Sequence, residues 1–179
     1  LGGKGEVLVM LRGGAPHMGV EGRLDLVKSS DGGKTWTKPA LVVDTPLDDR
    51  NPALAVLPDG TLVVGFAILD GYVNGQLDRK KARWALHVTL SADGGKTWTT
   101  SRLISVPGYD VASPYGKIVL MPEGTLLMAV YAWKNPRAAE RDHSLVLRSR
   151  DGGITWGDAT MIAAGFTETA LLLLDDRLI

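Results

Sequence analysis

Three copies of one eight-residue box, copies of an apolar hairpin after each, and the absence of any sustained 3.6-residue period predict an all-β fold. The box is Ser-x-Asp-Gly-Gly-x-Thr-Trp and reads SSDGGKTW (Ser29 to Trp36), SADGGKTW (Ser91 to Trp98) and SRDGGITW (Ser149 to Trp156). Four antiparallel strands recurring about every 40 to 60 residues describe a β-propeller blade, so the expected architecture is a β-propeller of four-stranded antiparallel blades. No window shows the helical spacing of apolar residues that would argue otherwise.

Taken in order, KGEVLVML fits the second half of a hairpin, with Gly5 standing where Gly60 and Gly124 stand in later copies. LDLVKS (Leu24 to Ser29) is a strand leading into the first box, and PALVVD is the strand leaving it. The hairpin NPALAVLPDGTLVVGFAI turns at Pro58-Asp59-Gly60. WALHVTLS (Trp84 to Ser91), the second box and SRLISV follow it. YGKIVLMPEGTLLMAVYA turns at Pro122-Glu123-Gly124 and leads through SLVLRS (Ser144 to Ser149) to the third box. ETALLLLDDRLI, with a turn at Asp175-Asp176-Arg177, opens another hairpin. Each is an apolar strand, a short turn of Pro, Asp or Gly, and a second apolar strand.

The box is a turn. Its two glycines supply the positive φ angles a tight hairpin needs, and the carboxylates of Asp31, Asp93 and Asp151 can accept backbone N–H bonds inside it. Trp36, Trp98 and Trp156 each lay a large ring on the blade. Three copies in three blades cannot all be one active site, which sets aside a calcium-loop or catalytic role for these aspartates.

Composition removes other classes. No cysteine among 179 residues excludes disulfides, thiolate metal sites and a Cys nucleophile. Twenty Lys+Arg balance twenty Asp+Glu, which argues against a nucleic-acid or anionic-membrane surface. The apolar run around Ala170 to Leu174 is far below the roughly 18 residues of a membrane span. Three scattered histidines lack ligand spacing and no glycine loop cradles a phosphate, so no metal and no cofactor is expected. The basic cluster Arg79-Lys80-Lys81-Ala82-Arg83 after Asp78 reads as a solvated loop between strands.

In a propeller the innermost strands start at one face around the central channel, where short loops carry function. Counting seven residues back from Pro58, Pro122 and Asp175 reaches Asn51, Tyr115 and Glu168, which should approach a common pocket. Asp49 and Arg50, Asp110 and Ser113, and Phe166 and Thr167 lie beside them.

The box is similar to the Asp-box (BNR repeat) of sialidases. LDLVKSSDGGKTW, RNPALAVLPDGTLVV, YGKIVLMPEGTLLMAVYA and FTETALLLLDDRLI together resemble the neuraminidase-type branch over essentially the whole chain. The resemblance implies a six-bladed propeller, of which residues 1–179 are about three blades, a partial domain cut within a blade at both ends. The missing half would come from the same full-length chain or by assembly. It also implies a glycan substrate and exo-α-sialidase chemistry, the release of terminal sialic acid, and favours an extracellular or periplasmic setting.

By the same resemblance, Glu168 in its Thr-Glu-Thr-Ala-Leu context is the partner that activates a nucleophilic Tyr, sialidases being the exception to two-carboxylate glycoside hydrolysis. Its plainer reading is a solvated Glu at a strand start. The Tyr and the three arginines that hold the substrate carboxylate lie outside this chain, so these residues alone are expected to be inactive. Arg12 resembles an arginine that lines the pocket, or else is a strand-end surface residue. Arg50, Asn51 and Tyr115 are the other substrate-binding candidates. The family's acid/base Asp is absent from the loop GGAPHMGVEG. Alignment from either side puts Val20 or His17 in its place, and Glu21 or His17 could substitute. A non-catalytic Asp-box propeller that binds glycan or protein is the rival reading, and an enzyme for another sugar a third.

Overall fold

The computed structural model describes residues 5–134 and 142–174, together with a short strand at 177–178. Among them there are strands and turns and no helix. β1 (Val7–Gly13), β2 (Arg23–Ser29) and β3 (Ala40–Val43) form a three-stranded antiparallel blade. β4 (Asp48–Val56), β5 (Leu62–Asp70), β8 (Arg83–Ser91) and β9 (Arg102–Ile104) form a four-stranded one. So do β10 (Val111–Leu120), β11 (Leu126–Trp133), β12 (His143–Ser149) and β13 (Gly157–Ala164). The innermost strands β4 and β10 run parallel and touch through Leu54 and Lys117, which joins the two complete blades around one axis. β14 (Leu173–Leu174) pairs with β15 (Arg177–Leu178), the start of a further hairpin.

The inner strands of the two four-stranded blades read as nearly continuous apolar runs because both faces of each blade are packed. In β5, Val63 joins a core shared with Leu126, Met128 and Leu145 of the following blade. Val64 and Phe66 point the other way and pack with Leu24, Met10 and Val43 of the preceding blade. A third cluster, Val119, Leu127, Ala129, Val146 and Leu171, covers the far face of the last complete blade. Blade two approaches blade three so closely at Gly65 that a β-carbon there would overlap the Met128 sulfur.

All three boxes adopt one turn. The Asp31 carboxylate accepts from Ser29 Oγ (2.7 Å), Lys34 N (2.9 Å), Thr35 N (2.9 Å) and Thr35 Oγ1 (2.6 Å). Asp93 repeats this with Ser91, Lys96 and Thr97, and Asp151 with Ser149 and Thr155. The Thr hydroxyl and the backbone N–H of the same residue hold Asp31 and Asp93 well below the usual carboxylate range. Burial opposes the same bonds at Asp151, yet its value still falls.

Packing separates the boxes. Box two sits against the preceding blade, Gly95 meeting Leu26 and the Lys28 ammonium donating to the Gly94 carbonyl. Box three sits likewise against Val63. Among the described residues nothing stands in that place beside box one. Trp36 is therefore 45% exposed, where Trp98 and Trp156 are half-buried. The expectation that every box ring is laid on a blade is corrected at Trp36.

Other boundaries shift. β4 and β10 begin at Asp48 and Val111, upstream of the expected Asn51 and Tyr115, because their early residues pair with the ends of β5 and β11. Among the described residues, the hairpin from Glu168 pairs Leu173 with Leu178 and Leu174 with Arg177. Its turn residues Asp175 and Asp176 lie outside the described residues. A small hairpin, β6 (Tyr72–Val73) and β7 (Gln76–Leu77), projects from the end of β5. Asn74 and Gly75 both have positive φ there, the geometry of a type I′ turn.

Candidate functional site

Register fixes where the loops gather. Leu62 pairs with Ser91 beside box two, and Leu69 with Trp84 at the opposite end of the same strands. The strands thus have a box end and a second end, where the start of β4, the end of β5, the start of β8 and the end of β11 meet. A cavity of 590 Å³ opens there. Asn51, Tyr115 and Glu168, from three successive repeats, all line it, with Arg12, His17 and Arg50.

The cationic wall is built on Asp48, which is fully buried. Its carboxylate accepts from Arg12 Nη2 (2.5 Å) and Nε (3.1 Å), from Arg50 Nη1 (3.2 Å) and from the Tyr72 hydroxyl (2.7 Å). Arg12 also donates to the carbonyls of Ala15, Pro16 and Gly19, which ties down the loop that follows β1. With its side chain 16% exposed, Arg12 is not a strand-end surface residue. Gly22 admits the pair, because a β-carbon there would overlap both the Asp48 carboxylate and the Arg12 guanidinium. Burial, then the bond to Asp48, pushes the Tyr72 phenol up to about 12, so it stays a donor.

Arg50 is 5% exposed and lies with Cζ 5.1 Å from the centre of the Trp84 ring. His17 Nε2 is 3.5 Å from one of its nitrogens, and Met18 Sδ accepts from the other at 3.3 Å. One carboxylate thus faces two guanidinium groups.

The adjoining wall is aromatic. Trp84 meets Trp133 edge to face at 6.1 Å, and Trp133 stacks on Tyr131 at 5.8 Å. Asn51 Nδ2 donates to the Tyr131 hydroxyl (2.8 Å) and to Ser113 Oγ (2.9 Å), which joins blades two and three at the cavity floor. Burial raises the Tyr131 phenol above its usual value. Asn51 and Glu168 both hold positive φ, 52° and 53°. For a Glu this is a sparsely populated conformation that costs on the order of 1–3 kcal/mol, and such residues cluster at functional sites. In the middle repeat the left-handed residue is Gly116 instead, one position past Tyr115.

The remaining candidates divide. Of the two acid/base substitutes, His17 lines the cavity, whereas Glu21 is exposed and outside the lining. Asp49 is buried and spends its carboxylate on Thr45 N (2.6 Å) and Oγ1 (3.0 Å). Phe166 and Thr167 are exposed and outside the lining, as is Asp110. The basic cluster is not merely a solvated loop, since Arg79 and Ala82 line the cavity. Asp48, Tyr72, Trp84, Tyr131 and Trp133 were not legible as site residues. The signal for the last two was their alternate spacing at the end of a second strand, which antiparallel pairing returns to the rim where the first strand starts. Among the described residues no group of three His, Asp or Glu is placed to hold a metal. Among the described residues no helix is long and apolar enough to cross a membrane.

Residues 23–177 match the model of the BNR repeat-like domain. The chain belongs to that family. Its BNR repeats are also 24% identical over 149 residues to a sialidase of Paraclostridium sordellii, covering 72% of this chain and 36% of the relative. A Hadza microbial sialidase superposes with a TM-score of 0.75 at 20% identity, over 94% of this chain and 37% of that one. Trypanosoma rangeli sialidase in complex with sialic acid superposes with a TM-score of 0.70 at 16% identity, over 98% and 32%. The chain therefore spans about a third of the length of these relatives, and its blades are those of a sialidase-type propeller.

Proposed function

We propose that the protein carrying this BNR domain is a sialidase-type glycoside hydrolase that releases terminal sialic acid from glycans. The observation that carries the reading is the convergence of Asn51, Tyr115 and Glu168, one from each repeat, on a cavity with a guanidinium wall and an aromatic wall. Cationic and aromatic walls suit a sugar bearing a carboxylate. In this reading Glu168, held in a strained backbone conformation, accepts the proton of a Tyr supplied by the rest of the propeller, whose phenolate attacks the anomeric carbon. His17 stands in the loop where the acid/base is required, and an imidazole can protonate the departing oxygen and later deprotonate water. Residues 1–179 form one part of the domain and have no turnover alone.

The test is hydrolysis of a fluorogenic α-sialoside by the full-length protein and by its Glu168→Ala form. Loss of about 10³-fold in kcat with an unchanged melting temperature is expected. Absence of turnover in the intact protein would favour a propeller that binds glycan without cleaving it.

A further inference from the structure

The β6–β7 hairpin and the basic turn after it are more than a surface insertion. Tyr72 pins the hairpin to Asp48, the carboxylate on which both cavity arginines rest. The base closes tightly: Asp78 N donates to Gly71 O (2.9 Å), and a β-carbon on Gly71 would meet the Ala82 backbone at 2.7 Å. Asp78, the turn's one acid, is used internally, its carboxylate accepting from Lys80 N (3.0 Å) and its carbonyl from Lys81 N and Ala82 N (2.9 Å each). Arg83 folds back on the carbonyls of Lys81 and Ala82. Arg79, Lys80 and Lys81 are exposed, and among the described residues no carboxylate pairs with them. Leu77, Arg79 and Ala82 carry this edge into the cavity lining.

We propose that this rim is a second subsite, taking an anionic group, carboxylate or sulfate, on the part of the glycan that remains outside the cavity. The proposal rests on the reading of the cavity as a glycan site. Three exposed cations, without an ion-pair partner among the described residues, on a pinned turn beside a concave site focus a positive field on whatever the bound sugar is attached to. Arg79 adds a planar fork matched to carboxylate or sulfate oxygens. Because exposed charges are screened, the contribution is moderate and falls with salt.

The experiment compares kcat/KM of the full-length protein on monosialyl-lactose, disialyl-lactose and a sulfated sialyl-lactose. The Arg79→Ala/Lys80→Ala/Lys81→Ala variant should lower the ratio of either anionic substrate to monosialyl-lactose by about tenfold. The charge-conserving Arg79→Lys/Lys80→Arg/Lys81→Arg form should keep most of it. Loss confined to the disialyl or to the sulfated substrate identifies which anion is read. An unchanged ratio overturns the proposal. If the wild type turns over none of the three, the hydrolase reading fails separately. Binding to the same immobilised glycans then decides the subsite, with selective loss on the anionic glycans supporting it and equal or no loss overturning it.

Discussion

The same strands end in two very different ways. At the box end each blade carries the same residues in the same bonds, Asp31, Asp93 and Asp151 each closing one turn with its own Ser and Thr. At the cavity end the repeat-equivalent residues are Asn51, Tyr115 and Glu168, with different partners. Every blade must solve one turn-and-packing problem, so the solution recurs. A single site needs several different groups, so each blade supplies its own.

The largest stability effect that probes this contrast lies at the cavity end. Asp48→Ala leaves two guanidinium groups without their carboxylate and is expected to cost about 3–5 kcal/mol in urea unfolding. A smaller loss would mean that the cationic wall does not depend on Asp48. Next comes Gly153→Ala, which forces a β-carbon at positive φ to within 2.7 Å of Val63, at a cost of about 2–4 kcal/mol. Gly33→Ala has the same φ strain but meets nothing nearer than Trp36 at 3.5 Å, and about 1–2 kcal/mol is expected. Equal costs would remove the distinction between box one and box three.

The smallest effect is in the acid limb of the melting curve. Asp31, Asp93 and Asp151 have values below that of the unfolded chain, so the unfolded state takes up more protons on acidification. Their stabilisation is fully present above the unfolded value of about 3.9 and is lost as pH falls below it. Asp49, raised chiefly by burial, acts with the opposite sign. Replacing the three box aspartates by Ala should therefore flatten the fall in melting temperature below about pH 4, whereas Asp49→Asn should raise the melting temperature above about pH 4, where burial of the ionised carboxylate costs stability, and leave it unchanged below.

Much of the fold was readable because its cause is local. The Asp-Gly-Gly turn is closed by residues within five positions of one another, and Gly5, Gly60 and Gly124 share a positive φ where the hairpin count placed them. The cavity was only partly readable. Counting along the innermost strand found Asn51, Tyr115 and Glu168, but Trp84 and Trp133 reach the rim from other strands. Asn74-Gly75, a direct hairpin signal, stands outside the repeat, and the hairpin it turns leads into the segment that brings Arg79 to the cavity.

By itself the sequence determined the repeat, the strands and the blade, since turn chemistry and apolar runs act between neighbours in the chain. Only the tertiary structure decided that Asp48 rather than Asp49 holds the arginines, that Glu21 stands outside the cavity, and that Trp36 is bare while Trp98 is covered. Those outcomes depend on which blade lies beside which, and on the burial that makes one carboxylate between two guanidinium groups worth keeping.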